Sequence, residues 1–179
     1  MKAILCSALV FCMLINSITA TAQSKDEYEE HPMVNLYVGP GLGLEYGGIG
    51  GKVEYVPVKY LGIFGGAGYN IAGLGWNAGV SYKILPGSKV TPIIDAMYGY
   101  NAVIESSSSW NSYKIYYGPS FGGGVDIRMG RRDNKLSAIL LYPVRSSKFK
   151  NAYDYESQTA SYSKVPPVSF SIGFNYSLN

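Results

Sequence analysis

The sequence contains few of the residues on which most catalytic and metal sites depend. It has a single histidine, His31, and two cysteines, Cys6 and Cys12. Both cysteines lie in an apolar N-terminal run that has the features of a removable signal peptide, so the rest of the chain has no thiol. A structural disulfide, a cysteine-ligated metal and a thiol nucleophile are therefore excluded after residue 22. We predict that the protein has no cofactor and no metal site.

Long apolar runs are also scarce. The one at the N-terminus follows the positive charge of Lys2, extends over residues 3–15, and precedes a small-residue cleavage site that ends at Ala22. This order predicts a secretory signal peptide over residues 1–22, followed by a polar segment over residues 23–32. A membrane-spanning helix needs about 20 apolar residues, and no later segment provides them.

Charged residues are few and balanced. They make up 15% of the chain, with 15 Lys and Arg against 12 Asp and Glu. The basic residues are scattered rather than clustered, so nucleic-acid binding is not predicted. A soluble domain normally has a surface of which about a quarter to a third is charged. A soluble barrel that turned its small and polar residues outward would therefore have too few charges on its surface.

Eight stretches instead alternate apolar residues with small or polar ones at period two. They lie near residues 33–45, 49–56, 61–70, 73–83, 90–103, 113–128, 135–144 and 167–178. In the last stretch, the apolar register consists of Val168, Phe170, Ile172, Phe174 and Tyr176. The other register consists of Ser169, Ser171, Gly173 and Asn175. Because side chains alternate between the faces of a strand, one face suits lipid and the other suits a tight polar interior.

This pattern predicts an all-β fold, an eight-stranded antiparallel up-and-down transmembrane β-barrel that forms one domain over residues 33–179. The strand number is even, as in single-chain bacterial barrels. Most stretches reach the length of about 9 to 11 residues that a tilted strand needs to cross a bilayer. Many of the 22 glycines fall on the polar register. An eight-stranded barrel is only just wide enough for side chains, so glycines there relieve crowding.

The predicted lipid-facing residues share the apolar register of their strands. They are Val34, Leu36, Val38, Leu42, Leu44, Ile49, Val53, Tyr55, Leu61, Ile63, Ala67, Leu74, Trp76, Ala78, Val80, Tyr82, Ile94, Ala96, Tyr98, Ile115, Tyr117, Phe121, Val125, Ile127, Leu136, Ala138, Leu140 and Tyr142. The seventh strand is the least regular, because this register would turn Ile139 and Leu141 inward.

The links between strands fall into two classes if the first strand starts in the periplasm. Periplasmic turns are then expected over residues 56–60, 85–89 and 130–134. Links at the opposite end are expected over residues 45–48, 70–73, 105–112 and 145–166. This topology places the two longest links on the extracellular side, as outer-membrane barrels prefer.

The strand count, the signal peptide and the terminal strand over residues 170–176 resemble the small outer-membrane barrels of Gram-negative bacteria, the OmpX and OmpA-transmembrane-domain type. The resemblance covers the predicted barrel and is one of architecture. It implies export through the Sec pathway, insertion by the barrel-assembly machinery, and a monomer in the outer membrane among lipid and lipopolysaccharide. It also implies a porin-like fold with a structural or surface-interaction role.

Eight charged residues are predicted to project into the lumen. They are Glu45, Lys52, Glu54, Lys83, Asp95, Lys114, Asp126 and Arg128. Because an isolated ion is costly to bury, we interpret them as a mutually neutralising structural network rather than as an ion pathway.

The sequence does not contain a recognisable catalytic constellation. Eight-stranded outer-membrane enzymes that act on lipid A use a histidine near the outer leaflet, whereas His31 falls at the periplasmic end. The paired carboxylates Asp154 and Glu156 lie in a predicted loop and are interpreted as solvated. Residues 50–53 lack the Ser or Thr and the upstream glycine of a phosphate-binding loop. We therefore predict that the protein is not an enzyme.

The extracellular links are the predicted carriers of function. The candidate residues are Trp110, Lys148, Lys150, Tyr153, Tyr155 and Tyr162. Aromatic and basic side chains on a rim can bind glycan, protein or lipopolysaccharide headgroups, although an ordinary hydrated loop accounts for them equally well. Two alternatives remain open: a lipid-binding or small-solute barrel, and a soluble lipocalin-like ligand-binding protein with the apolar register inside.

Overall fold

The computed structural model describes residues 35–70, 72–106, 112–130, 132–159 and 166–178. The predicted signal peptide and the polar segment after it lie outside the described residues. The described residues belong to one compact unit, Pro32–Asn179. Within these ranges, no helix has the length and apolar character needed to cross a membrane.

Eight antiparallel strands form a closed barrel in which each strand pairs with the next in sequence and the last pairs with the first. They are β1 (Asn35–Gly43), β2 (Gly48–Val58), β3 (Leu61–Asn70), β4 (Gly73–Lys83), β5 (Val90–Ser106), β6 (Ser112–Met129), β7 (Asn134–Pro143) and β8 (Ser169–Ser177). The predicted eight-stranded up-and-down barrel is therefore confirmed. Closure gives every strand a hydrogen-bonded neighbour on both sides, and among the described residues only the ends of β5 and β6 extend past the strands beside them.

Alternation along each strand separates an apolar outside from a polar inside. On β2, Ile49 and Val53 are 78% and 48% exposed, while Lys52 and Glu54, on the opposite register, are 3% and 2% exposed. The same alternation continues along β3 and β4. The barrel thus presents apolar side chains to its surroundings and buries its charges.

The predicted outward position of Leu44 is wrong. The strand ends at Gly43, and the chain turns inward through a short 3-10 turn, Leu44–Tyr46. Gly43 and Gly47, at either end of the turn, have φ of 110° and 66°, a region that side chains with a Cβ rarely adopt. Leu44 is therefore buried in the lumen. Val34, also predicted to face lipid, lies outside the described residues.

The seventh strand has the register that the alternation predicts. Ile139 and Leu141 on β7 point inward and are 3% and 0% exposed. They belong to an apolar cluster inside the barrel that also contains Leu44, Phe64, Ile93 and Met97. The irregular hydrophobic pattern of this strand thus reflects an interior that is partly apolar.

The link over residues 145–166, expected as a loop, contains a helix, α1 (Ser147–Thr159). Ser146 begins it, because its hydroxyl accepts a hydrogen bond from the Phe149 amide at 3.3 Å, the contact that an N-cap residue makes. Phe149 and Tyr153, one turn apart, lie with their rings stacked at 6.0 Å. The predicted loop position of Asp154 is corrected accordingly: it is an exposed residue of the helix.

Candidate functional site

The inward turn Leu44–Tyr46, which we call the plug, occupies the lumen. Its three side chains are at most 5% exposed, and Tyr46 is fully buried. The Glu45 amide donates to the Ser171 hydroxyl at 2.9 Å, and the Asn77 side-chain amide donates to the Leu44 carbonyl. Strands from opposite sides of the barrel therefore satisfy the polar backbone of the plug.

Glycines on the inner face make room for the plug. A Cβ on Gly41 or Gly173 would overlap the ring or hydroxyl of Tyr46. A Cβ on Gly66 would overlap the Glu45 carbonyl, and one on Gly68 would overlap the Tyr46 carbonyl. The glycines of the polar register thus have a specific role, because each leaves the volume of a side chain to the plug.

A network of buried charges lies between the plug and the end of the barrel where β2 leads into β3. Glu54 accepts from Lys83 through Oε1 and from Lys135 through Oε2, each at 2.6 Å. Lys135 also donates to Asp126 at 3.1 Å, and its Nζ lies 4.2 Å from the ring centroid of Tyr37. Each of these charges therefore has an opposite charge within hydrogen-bonding distance, as buried ions require.

Hydrogen bonds connect this network to the plug. Ser137 donates to Asp126 at 2.5 Å and accepts from the Asn175 amide at 3.0 Å. Asn175 in turn accepts from the Tyr46 hydroxyl at 3.4 Å. A second connection is the ion pair of Lys52 with Glu45 of the plug, at 3.2 Å. Plug and charge network thus form one continuous polar interior.

Six of the eight charges predicted to face the lumen are buried there. They are Glu45, Lys52, Glu54, Lys83, Asp95 and Asp126. Lys114 is exposed, because it lies where β5 and β6 extend past the other strands. Arg128 is half-buried near the end of β6, where it pairs with Asp133 at 3.2 Å. The lumen position predicted for Lys114 is therefore wrong, whereas Arg128 keeps the inward register of its ladder partner Lys135.

The lumen residues predicted from the sequence did not include Lys135, Tyr37 and Asn175. Lys135 is 5% exposed and contacts two carboxylates. A signal was present, because Lys135 shares the inward register of Ser137 and Ile139. Tyr37 and Asn175 share the inward register of β1 and β8 in the same way, but nothing in the sequence pairs them with charged partners.

The end of the barrel where β5 and β6 extend past the other strands has a small apolar cluster of its own. Ala102 and Ile104 on β5 are buried together with Phe149 of α1, and Tyr116 on β6 meets the Phe149 ring edge-on at 5.4 Å. Tyr153 packs on this cluster. The helix therefore docks against the extension formed by β5 and β6.

The predicted interaction residues are only partly covered by the structure. Lys148 and Lys150 are exposed on α1, whereas Tyr153 is half-buried in the cluster. Trp110 and Tyr162 lie outside the described residues, as does the side chain of Tyr155. The structure thus places two exposed lysines on one helix, on either side of the buried Phe149.

Most buried carboxylate oxygens of the interior accept hydrogen bonds from other side chains. The described ranges contain no group of three or more His, Cys, Asp or Glu side chains able to hold a metal ion. Glu54 and Asp126 have their oxygens bound by lysines or a serine. What the interior can do chemically is hold charge and exclude solvent.

Comparisons with known proteins add a structural likeness. No family model matches the chain, and no curated protein matches it. The fold is similar to a solved barrel. This is the crystal structure of the N-terminal β-barrel domain of Pseudomonas aeruginosa OprF, with a TM-score of 0.49 and 12% identity over 79% of this chain and 97% of that chain.

Proposed function

We propose that the protein is a non-enzymatic β-barrel of the bacterial outer membrane with a structural or surface-interaction role. The observation that carries this proposal is the distribution of polarity around the barrel. Apolar side chains such as Ile49, Leu74 and Leu140 are 64% to 78% exposed, while Glu54 and Asp95 are at most 2% exposed. Monomeric soluble proteins rarely expose an extensive apolar surface, whereas a bilayer requires one.

The soluble lipocalin-like alternative needs the opposite arrangement. It would place the glycine-rich and charged register on the surface and the apolar register inside. The burial of Lys52, Glu54 and Asn77, each at most 3% exposed, contradicts it. The barrel interior is therefore not an apolar ligand pocket.

The second alternative, a lipid-binding or small-solute barrel, is disfavoured by the plug. An eight-stranded barrel has room inside for side chains or for one small ligand. Here Tyr46 and Leu44 enter that space from the β1–β2 connection, and Lys52 and Glu54 reach it from the wall. A solute would have to displace the whole polar interior.

Contacts with other molecules are then made by the end of the barrel that carries α1. Two lysines, Lys148 and Lys150, are exposed on this helix, which is anchored through Phe149. Ammonium groups held on a fixed element attract anionic headgroups. We infer that this end is extracellular and binds the anionic groups of lipopolysaccharide or a surface glycan.

The membrane assignment is tested by cell fractionation and gel mobility. The protein is expected in the outer-membrane fraction, and its unboiled form is expected to migrate faster than its boiled form, because a closed hydrogen-bonded sheet resists detergent. Extraction should require detergent. Recovery from the periplasm without detergent would refute the assignment.

The interaction role is tested by reversing the two helix charges. Lys148→Glu combined with Lys150→Glu should weaken binding of the detergent-purified barrel to immobilised lipopolysaccharide by about tenfold or more, because each lysine near an anionic surface contributes about 1 kcal/mol. The matched control is Lys59→Glu with Lys89→Glu, two exposed lysines in turns at the other end. Equal losses in both double variants would show that the helix has no special role.

A further inference from the structure

The buried charges of the lumen do not balance. In the described part of the chain, the buried carboxylates are Glu45, Glu54, Asp95 and Asp126, and the buried ammonium groups are Lys52, Lys83 and Lys135. Four negative groups thus face three positive ones. Arg128, the next cation, is only half-buried and pairs with Asp133 near the end of the barrel.

The unmatched charge is at Asp95. This side chain is 1% exposed, and neither of its carboxylate oxygens has a hydrogen-bond partner among the described residues. By contrast, both oxygens of Glu54 and both of Asp126 accept hydrogen bonds. Asp95 therefore differs from the two carboxylates of the network next to it.

A second buried carboxylate also has an oxygen that accepts no hydrogen bond. Glu45 of the plug uses Oε1 for Lys52, whereas its Oε2 is buried without a hydrogen-bond partner. Burial, Glu45 and Asp126 disfavour the ionised form of Asp95, whereas Lys52 and the Ser81 hydroxyl favour it. Ser81 is the residue opposite Asp95 across the β4–β5 ladder. Two buried carboxylates with unused oxygens thus interact electrostatically inside the barrel.

Two carboxylates that share a low-dielectric site cannot both stay ionised without a counter-charge. An all-oxygen set is the chemistry that hard cations prefer. One positive charge balances the interior, and a divalent ion would reverse its sign. We propose that Asp95 and Glu45 together hold one small monovalent cation, either a proton or an alkali ion.

The test measures unfolding of the refolded chain in detergent micelles by gel mobility in a denaturant series, for the wild type and for Asp95→Asn. One arm varies pH in choline chloride. If the cation is a proton, the folded state holds one proton more than the unfolded state, so stability falls as pH rises. The unfolding constant of the wild type should then increase with pH by up to about tenfold per unit more steeply than that of Asp95→Asn.

The other arm replaces choline by sodium at fixed pH and ionic strength. If the cation is an alkali ion, the unfolding constant of the wild type should fall by up to about tenfold per tenfold rise in sodium, and that of Asp95→Asn should not change. Asp154→Asn, the same change at an exposed carboxylate, should behave as the wild type in both arms. Identical pH and sodium responses in the wild type and Asp95→Asn would overturn the proposal.

A measurement on the wild type alone covers the case in which Asp95→Asn does not fold. The infrared spectrum of the folded barrel at neutral pH should contain the carbonyl stretch of a protonated carboxylic acid if the site holds a proton. If the site holds an alkali ion, that band should be absent and the sodium arm positive. A wild type with neither the band nor a sodium response would contradict the inference.

Discussion

At the scale of single residues, Glu54 connects strands that lie far apart in the sequence. It accepts from Lys83 and Lys135, which come from β4 and β7. The pair of Glu54 and Lys135 joins positions 81 residues apart in the chain. Such a contact stabilises the closed barrel rather than any single hairpin.

Glu54→Gln should destabilise the barrel by about 3 to 5 kcal/mol, because it leaves two buried ammonium groups with less counter-charge. Denaturant titration of the refolded barrel, followed by its gel mobility, measures the loss. Asp154→Asn makes the same chemical change on the exposed face of α1 and should stay within about 0.5 kcal/mol of the wild type. Equal effects in the two variants would show that the buried pairs contribute nothing.

At the scale of elements, the plug and the glycines opposite it depend on each other. The turn enters the lumen because Gly43 and Gly47 adopt positive φ, and it fits because Gly66 on β3 leaves space for the Glu45 carbonyl. Its neighbour Gly65 points outward, and a Cβ there would meet no atom within 4 Å. Adjacent residues of one strand therefore offer a direct comparison.

Gly66→Ala should cost about 1 to 3 kcal/mol, since overpacking forces a backbone shift in the plug. Gly65→Ala should be neutral or stabilise the strand by up to about 1 kcal/mol, since alanine loses less conformational freedom than glycine on folding. Both free energies of unfolding come from denaturant titration. If Gly66→Ala were as well tolerated as Gly65→Ala, the inward position of the turn would be wrong.

The docking of helix α1 against β5 and β6 can also be tested. Phe149→Ala removes the ring that packs on Ile104 and Tyr116 and should cost the docked helix about 3 kcal/mol. Limited proteolysis should then cut within Ser147–Thr159, while the barrel keeps its heat-dependent gel shift. Lys150→Ala, an exposed neighbour, is the control and should leave the helix protected. Cleavage of the wild type at the same rate as Phe149→Ala would contradict the docking.

At the scale of the whole molecule, the apolar exterior decides where the barrel can reside. Val80 lies in the middle of β4 and is 43% exposed, while Val144 follows the end of β7 and is 41% exposed. The two valines have nearly the same exposure and differ in their position along the barrel axis. In a bilayer, a charge in the middle of a strand would face the hydrocarbon core, whereas a charge at the strand end would lie near the interface. In water, the two positions would be equivalent.

Val80→Arg should cost about 2 to 4 kcal/mol in lipid, because it places a charge near the bilayer midplane, whereas Val144→Arg near the interface should cost about 0 to 1 kcal/mol. Folding into liposomes, followed by gel mobility, measures both. In liposomes, the folding yield of Val80→Arg should therefore be lower than that of Val144→Arg. Equal and small costs would contradict a membrane-spanning orientation.

The sequence by itself determined the strands, their order and most of their inward and outward faces. The reason is that period-two alternation is a local property, and closure of eight such strands leaves only one face for charges such as Lys52 and Glu54. Even the irregular β7 follows from this rule, because Lys135, Ser137 and Ile139 share one register.

Only the tertiary structure decided what fills the barrel and what covers its end. Leu44 continues the apolar register of β1, so the sequence alone favours a lipid-facing position, and the space behind the glycines that receives the plug exists only after the barrel has closed. The helix α1 likewise depends on packing against β5 and β6, since Phe149 is buried there. Contacts between residues distant in sequence set these features, and local alternation carries no information about them.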